Sequence, residues 1–340
     1  MNISTTAREI AACSASNWGA DPDKVCAVEL NAAFSRLALP RTQGYPGTGA
    51  QWFQQRIRDL RSNPDFPATA VDYARSIVHL FEGRYLVNKA MANVSRQTVC
   101  MAILSSYFGQ AEKTGGAFLS SIQTLTTAMG VCSKNTTAAI VALLERLGLI
   151  VRVENHQDRR WLYIQPTEDL ISATRDFQRI SLAAADTLFP SRNYGALFDQ
   201  DEGIQERCFA AGLYSYIAIH GSVLNHPQSQ VFVAADGGTI LLLKLMSLKE
   251  AARQDDDHIV EFPFDEIGTL FGLSRTHIRR LMRKAEAEGF VQLLQKGGRQ
   301  IRLLSPLEDL FENIVAAHVA RAQLDMHLAM GDGMSASPRK

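Results

Sequence analysis

The clearest pattern of hydrophobic and polar positions lies close to residue 280. Apolar residues there recur at intervals of three and four, which predicts one buried stripe along a helix: Ile278, Leu281, Met282 and Ala285. Ser274 stands where an N-cap is expected, and Gly289 stands where the helix should end. Just upstream, residues 266–271 predict a short helix, with Asp265 as its N-cap and Gly272 as the residue that ends it. The pattern therefore predicts two helices joined by a tight turn.

The residues that follow this helix predict a β-hairpin. Polar and apolar residues alternate along residues 290–304, as they do in strands with one buried face. The pair Gly297 and Gly298 lies between the two predicted strands and is a typical two-residue hairpin turn. Lys296 and Arg299 should therefore flank a projecting wing.

A similar pattern occurs about 140 residues earlier in the chain. Gly130 precedes Gly272 by 142 positions and Gly148 precedes Gly289 by 141, with one extra residue in the turn near Cys132. In each copy the predicted order is helix, short strand, helix, turn, helix, hairpin, helix. This order is typical of a winged helix-turn-helix domain, so the sequence predicts two such domains in tandem.

The predicted fold class is mostly α with small β-hairpin wings. It comprises two tandem winged helix-turn-helix domains that form a single-chain pseudo-dimer, together with an N-terminal helical arm. The predicted units are the arm 1–66, the first domain 67–180, the second domain 181–332 and a disordered tail 333–340. A long apolar helix after residue 310 should pack either against another helix of the chain or against a second chain.

Charge is balanced over the whole chain but not along it. The 340 residues hold 35 Lys and Arg and 35 Asp and Glu. Between Ser274 and Arg302, however, eight cations face only two acids, Glu286 and Glu288. Projection onto a helix places the following residues away from the buried stripe: Arg275, Thr276, Arg279, Arg280, Arg283 and Lys284. A polyanion would be met by this local patch and not by the charge of the whole protein.

The patch predicts a recognition helix, residues 274–288, that enters the major groove of double-stranded DNA. Base contacts are expected because arginine can bond guanine O6 and N7 with two donors; the predicted residues are Arg275, Thr276, Arg279 and Arg280. Contacts to the DNA backbone are expected at the edges of the helix and in the wing 295–300; they involve Ser274, Arg283, Lys284, Lys296 and Arg299.

The corresponding helix of the first copy carries much less charge. Ala139 stands at the position equivalent to Arg280, and Ala138 is its neighbour. The candidates for base contacts in this copy are Lys134, Asn135 and Thr136, and Ala138 is the one further position left open to face a base edge. Small residues permit close approach to DNA, but they suit a buried or protein-facing helix equally well. The predicted first wing, residues 154–160, places Arg159 and Arg160 on the backbone or in the minor groove.

The second copy resembles the DNA-binding module of the Crp/Fnr family of bacterial transcription regulators. The resemblance lies in "IGTLFGLSRTHIRRLMRKAEAEGFV", where Ser274, Arg275 and Arg280 match the family pattern. It implies that Arg275, Thr276 and Arg280 read bases, whereas His277 stands where the family usually has threonine. The family's cyclic-nucleotide barrel is not predicted, because residues 1–95 have a helical pattern.

The first copy resembles the MarR family of regulators in "LLERLGLIVRVENHQDRRWLYIQPTEDL". This segment has the family's pattern of a helix end, a wing with a D-R-R sequence and an apolar strand. The resemblance implies that Arg160 enters the minor groove and that Asp158 braces it.

The rest of the sequence bounds the class of protein. Five scattered cysteines without a CxxC favour reduced cytosolic thiols over disulfides or a zinc site. No signal-peptide pattern is present, and no apolar run approaches the roughly 18 residues that span a bilayer. The sequence contains no phosphate-loop, zinc-protease or serine-hydrolase motif. We therefore expect a cytoplasmic, nucleoid-associated protein without enzymatic activity, cofactor or membrane contact.

Two other functions fit parts of the same pattern. Plasmid-type replication initiators also carry two winged helices in one chain, and they bind short tandem repeats at an origin. Winged helices also serve as protein-interaction scaffolds, a role that the first copy would suit. The expected partners are double-stranded DNA and either a second copy of the chain or RNA polymerase, while any small-molecule effector is left open by the sequence.

Overall fold

The computed structural model describes residues 49–109, 116–154, 162–219, 223, 226–251 and 258–330. This part of the chain is mostly helical, with small antiparallel β-hairpins, as the sequence predicts. Most of the predicted N-terminal arm and the predicted tail lie outside the described residues. Among the helices that are described, none is both long and apolar enough to cross a lipid bilayer.

The elements of the second half follow the predicted order, and in the first half an isolated bridge at Ala117 stands in the described part of the segment where a short strand was predicted. The first half contains α1 (Gly49–Ser62), α2 (Phe66–Phe81), α3 (Tyr85–Ala90), α4 (Val94–Phe108), α5 (Leu119–Ala128), α6 (Lys134–Arg146), β1 (Ile150–Glu154), β2 (Leu162–Pro166) and α7 (Glu168–Leu188). The second half contains α8 (Tyr194–Gln200), α9 (Glu202–Ile219), α10 (Gln230–Val233), α11 (Gly238–Ala251), β3 (Ile259–Val260), α12 (Phe264–Phe271), α13 (Arg275–Ala287), β4 (Val291–Leu293), β5 (Ile301–Leu303) and α14 (Ser305–Met330). The boundary predicted between residues 180 and 181 lies inside the continuous helix α7.

Each half holds one small antiparallel sheet. Strands β1 and β2 pair over five residues, and Ala117 adds an isolated bridge to Ile164. In the second half the strand order is β3–β5–β4, with Ile301 paired to both Val260 and Leu293. Ile164 and Ile301 are buried, so one face of each sheet rests on the core.

The two copies share their turns, caps and buried stripes. Gly130 and Gly272 both adopt a left-handed φ, of 66° and 70°, before the turn into the next helix. The side chains of Ser133 and Ser274 each accept a hydrogen bond from the amide three residues later. The buried residues of α6 are Thr137, Ile140, Val141 and Leu144, which precede by 141 positions the buried residues of α13: Ile278, Leu281, Met282 and Ala285. The predicted stripe and its repeat are therefore both confirmed.

Helix α14 runs through the centre of the molecule and packs against α1, α7 and α9. Even Arg321 and Asp325 on this helix are buried. Arg321 Nη1 donates to Asp325 at 2.9 Å, and Arg321 Nη2 donates to Gln178 of α7 at 3.0 Å. Arg56 of α1 donates to Gln323 at 2.7 Å. The long C-terminal helix thus packs against other helices of its own chain, which is one of the two arrangements that the sequence left open.

Helix α12 begins two residues earlier than the sequence predicts. Pro263 has the extended backbone of an N-cap, with φ −62° and ψ 115°, and the helix starts directly after it. Asp265 therefore lies within the first turn and makes no capping hydrogen bond, so its predicted role as the N-cap is wrong. Its carboxylate instead lies 3.3 Å from the guanidinium of Arg275.

Candidate nucleic-acid interface

Helix α13 has one fully buried face and one fully exposed face. Its buried stripe fixes the rotation of the helix, and the Ser274 cap fixes where it begins. The side chains that the sequence placed on the outer face are all exposed in the structure; they are Arg275, Thr276, Arg279, Arg280, Arg283 and Lys284. The periodicity of the sequence thus predicts correctly which way each of these residues faces.

Few of these cations have an acidic neighbour. Arg275 pairs with Asp265, but both side chains are more than half exposed, so this pair adds little stability and Arg275 is available to a ligand. Among the described residues, no ion-pair partner is found for the other cations of the patch: Arg279, Arg280, Arg283, Lys284, Lys296 and Arg299. Together with Arg275, we call these seven residues the basic surface.

One of the two acids near this surface is used inside the domain. Glu286 accepts a hydrogen bond from the amide of Leu293 at 2.8 Å, which ties the end of α13 to β4. Arg302 donates to Gln292 at 2.9 Å across the sheet. The excess of positive charge is therefore concentrated on α13 and on the connection between β4 and β5.

That connection folds back onto the domain and does not project as a hairpin wing. The amides of Leu294 and Gln295 both donate to the carbonyl of Gln300, which closes a longer loop than the predicted two-residue turn. Gly298 is buried, and its carbonyl accepts from the amide of Phe262 at 2.8 Å. A Cβ at Gly298 would collide with the carbonyl of Phe262 and with the ring of Phe264. The predicted projecting turn is wrong, because its second glycine packs against Phe262, which lies between β3 and α12, and against Phe264 of α12.

Lys296 and Arg299 remain exposed on this folded loop. The loop lies beside the start of α13, since a Cβ at Gly297 would be 3.7 Å from Nη2 of Arg275. Both cations therefore extend the surface of α13 and do not form a separate arm.

Residues that are distant along the chain contact the turn before α13 and the first turn of this helix. The amide of Gly83 donates to the carbonyl of Leu270 at 3.2 Å, and Asn88 Nδ2 donates to the carbonyl of Phe271 at 3.3 Å. His277 Nε2 lies 2.7 Å from the carbonyl of Asp236. Because a carbonyl only accepts, Nε2 carries the proton and Nδ1 can accept from Arg280, 3.4 Å away.

These anchoring residues were missed by sequence reasoning. The one sign of them was His277, which departs from the family pattern at that position. Gly83 and Asn88 lie in the loop and short helix between α2 and α4, far from the turn along the chain, and nothing in the local pattern marks them. The histidine links the orientation of Arg280 to the start of α11.

The outer face of α6 is exposed, and the charged residues of this helix are Lys134 in its first turn and Glu145 and Arg146 in its last. Lys134, Asn135, Thr136 and Ala139 are exposed, and none of the described elements covers them. Arg152 on β1 is paired with Glu145 at 3.0 Å, so it adds little free charge. The predicted wing arginines Arg159 and Arg160 lie outside the described residues. In the first copy the structure thus brings together only the three polar residues at the start of the helix.

Comparison of the chain with models of protein families, with curated protein sequences and with solved structures finds no match.

Proposed function

We propose that the chain binds double-stranded DNA in a sequence-specific manner and acts as a transcriptional regulator. In this proposal the two copies are winged helix-turn-helix domains that form a pseudo-dimer within one chain. The observation that carries the proposal is the outer face of α13. Its cations are exposed, all of them except Arg275 have no acidic partner among the described residues, and the opposite face of the helix is completely packed. Such a helix, preceded by a tight turn, fits the major groove.

The predicted contact residues of the second copy divide into two groups by position. Arg275, Thr276, Arg279 and Arg280 lie in the first half of α13, which reaches deepest into a groove, and we assign them to base contacts. The cap and the outer positions are assigned to phosphates, which orient the domain without reading sequence; they are Ser274, Arg283, Lys284, Lys296 and Arg299. His277 supports the first group, because its ring lies beside the guanidinium of Arg280.

For the first copy a second candidate is docking of a protein. The outer face of α6 offers alanines at the positions of Arg279, Arg280 and Arg283, and its one arginine, Arg146, lies in the last turn. The adjacent hairpin exposes Val151 and Leu162 by 44% and 42%. Exposed apolar side chains of this size favour a protein partner over a phosphate backbone. Lys134, Asn135 and Thr136 would contact bases if this copy also enters a groove.

The test is a salt series with the double variant Lys296→Ala and Arg299→Ala. Each lost phosphate contact should lower the slope of log K against log salt by about 0.9, so the slope should fall by roughly two. Genome-wide mapping of bound DNA supplies the specific duplex, and fluorescence anisotropy on that duplex and on a random duplex measures both slopes. The preference for the specific duplex should stay nearly unchanged, because these two cations contact backbone.

A matched control removes the same charge elsewhere. Arg58 on α1 and Arg75 on α2 are exposed, and their double replacement by alanine should leave the slope unchanged. DNA binding without salt dependence in the wild-type protein would reject the proposal and favour the interaction scaffold. Mapped sites confined to tandem repeats at a replication origin would favour the replication initiator.

A further inference from the structure

A cavity of about 460 Å³ lies between the two copies, next to the turn that precedes α13. Its walls come from α2, α3, α4 and α7 on one side, and from α11, α14 and residues 271–273 on the other. This volume is within the range of roughly 300–1,000 Å³ that is usual for small-molecule sites. The cavity opens beside Tyr85 and Leu86, which are 50% and 58% exposed although both are large and apolar.

The lining is mainly apolar, and two of its arginines are paired with carboxylates, whereas Lys89 is an exposed lining residue with no ion-pair partner among the described residues. Phe81, Phe177 and Leu243 supply much of the wall. Arg321 at the inner end is paired with Asp325, and Arg96 nearer the mouth lies 3.3 Å from Asp236. A ligand that carries a net charge would therefore find no unpaired opposite charge within the described interior of this cavity.

His318 provides one hydrogen-bonding position in this apolar wall. Its ring lines the cavity and is partly accessible, although α14 is otherwise buried around it. Nδ1 lies 3.1 Å from the hydroxyl of Tyr73, and no described residue forms a hydrogen bond with Nε2. Burial lowers the pKa of His318 to about 3, so the ring is neutral and Nε2 either donates or accepts. A hydroxyl group satisfies Nε2 in both cases.

The cavity wall is also part of the turn that positions α13. A Cβ at Gly272 would lie only 2.9 Å from the ring of Tyr85, so the turn and α3 are in close contact. Asn88 donates a hydrogen bond to the carbonyl of Phe271, and the carbonyl of Asp236 accepts one from His277. All of these residues except His277 line the cavity, so an occupant would press on the contacts that fix the start of α13.

We propose that this cavity binds a neutral, mainly apolar small molecule with one hydroxyl group, and that its occupancy shifts the turn before α13. The regulatory part of this proposal rests on the proposed function of α13 in DNA binding. The binding part does not, since it depends only on the cavity and His318.

The binding experiment uses the full chain and two fluorescent probes, 2-naphthalenemethanol and 2-methylnaphthalene. They differ by one hydroxyl group, and the alcohol should bind one molecule per chain about tenfold more tightly, the usual worth of one such hydrogen bond. Ile240→Trp should fill the cavity and weaken the alcohol at least tenfold, and Thr239→Phe is the alternative if that variant does not fold. His318→Phe should abolish the preference between the two probes.

A matched control removes exposed apolar side chains elsewhere. Val151→Ser with Leu162→Ser should leave probe binding unchanged, because these residues lie on the first hairpin. Weakening by this control, or unchanged binding in Ile240→Trp and Thr239→Phe, would show that the probes bind surface patches and would overturn the site.

The coupling has two readouts. Saturating alcohol should change hydrogen exchange of the peptide that spans residues 268–278, and it should change the affinity for DNA at least threefold in the wild-type protein but not in Ile240→Trp. Altered exchange in a chain that binds no DNA would reject the proposed function and keep the ligand site. Binding of the alcohol without altered exchange or altered DNA affinity would overturn the coupling.

Discussion

Helices α6 and α13 share one scaffold but present different surfaces. Their buried positions, their serine caps and their preceding left-handed glycines correspond residue by residue. On the outer face, Ala138, Ala139 and Ala142 of α6 stand where α13 has Arg279, Arg280 and Arg283. The comparison teaches that four buried residues and a serine cap are enough to specify this helix in each copy, while the exposed residues determine what the helix binds.

The largest effect is expected when α13 is given the outer face of α6. Arg279→Ala, Arg280→Ala and Arg283→Ala together should weaken DNA binding by about 3–6 kcal/mol, because base and phosphate contacts are lost together. The helix should stay folded, since alanine has a higher helix propensity than arginine. Titration by fluorescence anisotropy, with circular dichroism as the control for folding, measures both. An affinity close to wild type would show that the two helices do not differ in function.

Mild acid should destabilise the core that both copies share. Burial lowers the pKa of His318 to about 3 and that of His327 to about 4, so both stay neutral in the folded protein while they become charged in the unfolded chain below about pH 6.5. Burial raises the pKa of Asp325 to about 6, which has the opposite effect on stability between about pH 4 and 6. Two histidines act against one aspartate, so the free energy of unfolding should fall by about 1.4 kcal/mol per pH unit as pH falls from about 6 to about 4.

Urea unfolding between pH 7 and pH 5 measures this loss. A single transition is expected at each pH, because these groups lie on α14, which packs against helices of both halves. His318→Gln should flatten the dependence. Two separate transitions, one for each copy, would show that the copies are energetically independent.

A single pair of variants compares the two outer faces at one equivalent position. Arg280→Ala should cost about 1–3 kcal/mol in binding and relax the preference at one base pair. Ala139→Ser, at the matching position of α6, should change affinity by less than about 0.5 kcal/mol, as is usual for an exposed substitution. Equal losses in the two titrations would contradict the asymmetry.

The smallest effect should be the same in both copies. Ser133→Ala and Ser274→Ala each remove a side-chain acceptor from the first turn, and each should lower the free energy of unfolding by about 1 kcal/mol. Denaturant titration of the two variants checks this. A clear difference between them would mean that the shared scaffold is stabilised differently in each copy.

The sequence predicted the repeat and the direction of the outer side chains because both follow from local spacing. Buried residues at i, i+3 and i+4 fix the rotation of a helix, so Arg280 and Ala139 had to face outward. The start of α12 was missed by two residues, because the local pattern favours Asp265, a preferred N-cap residue, over Pro263, which has no side-chain acceptor. The folded loop at Gly298 depends on Phe262, whose contact with it is tertiary.

The cavity and the anchoring of α13 could not be predicted in the same way. They depend on Gly83, Asn88 and His318, which meet only when distant helices pack together. Isolated polar residues in apolar helices have many possible partners, and the spacing along the chain does not select among them.

The buried contact between α7 and α14 also fixes the distance between the outer helices α6 and α13. These helices follow the hairpins of the first and second copy, and Gln178 of one bonds Arg321 of the other inside the core. Because α7 and α14 pack together in this way, the two outer helices are held at one separation. If both enter the same duplex, the chain acts as a fixed-length ruler, and inserting half a helical turn, about five base pairs, between the two contacted segments would leave one of the two helices on the wrong side of the DNA.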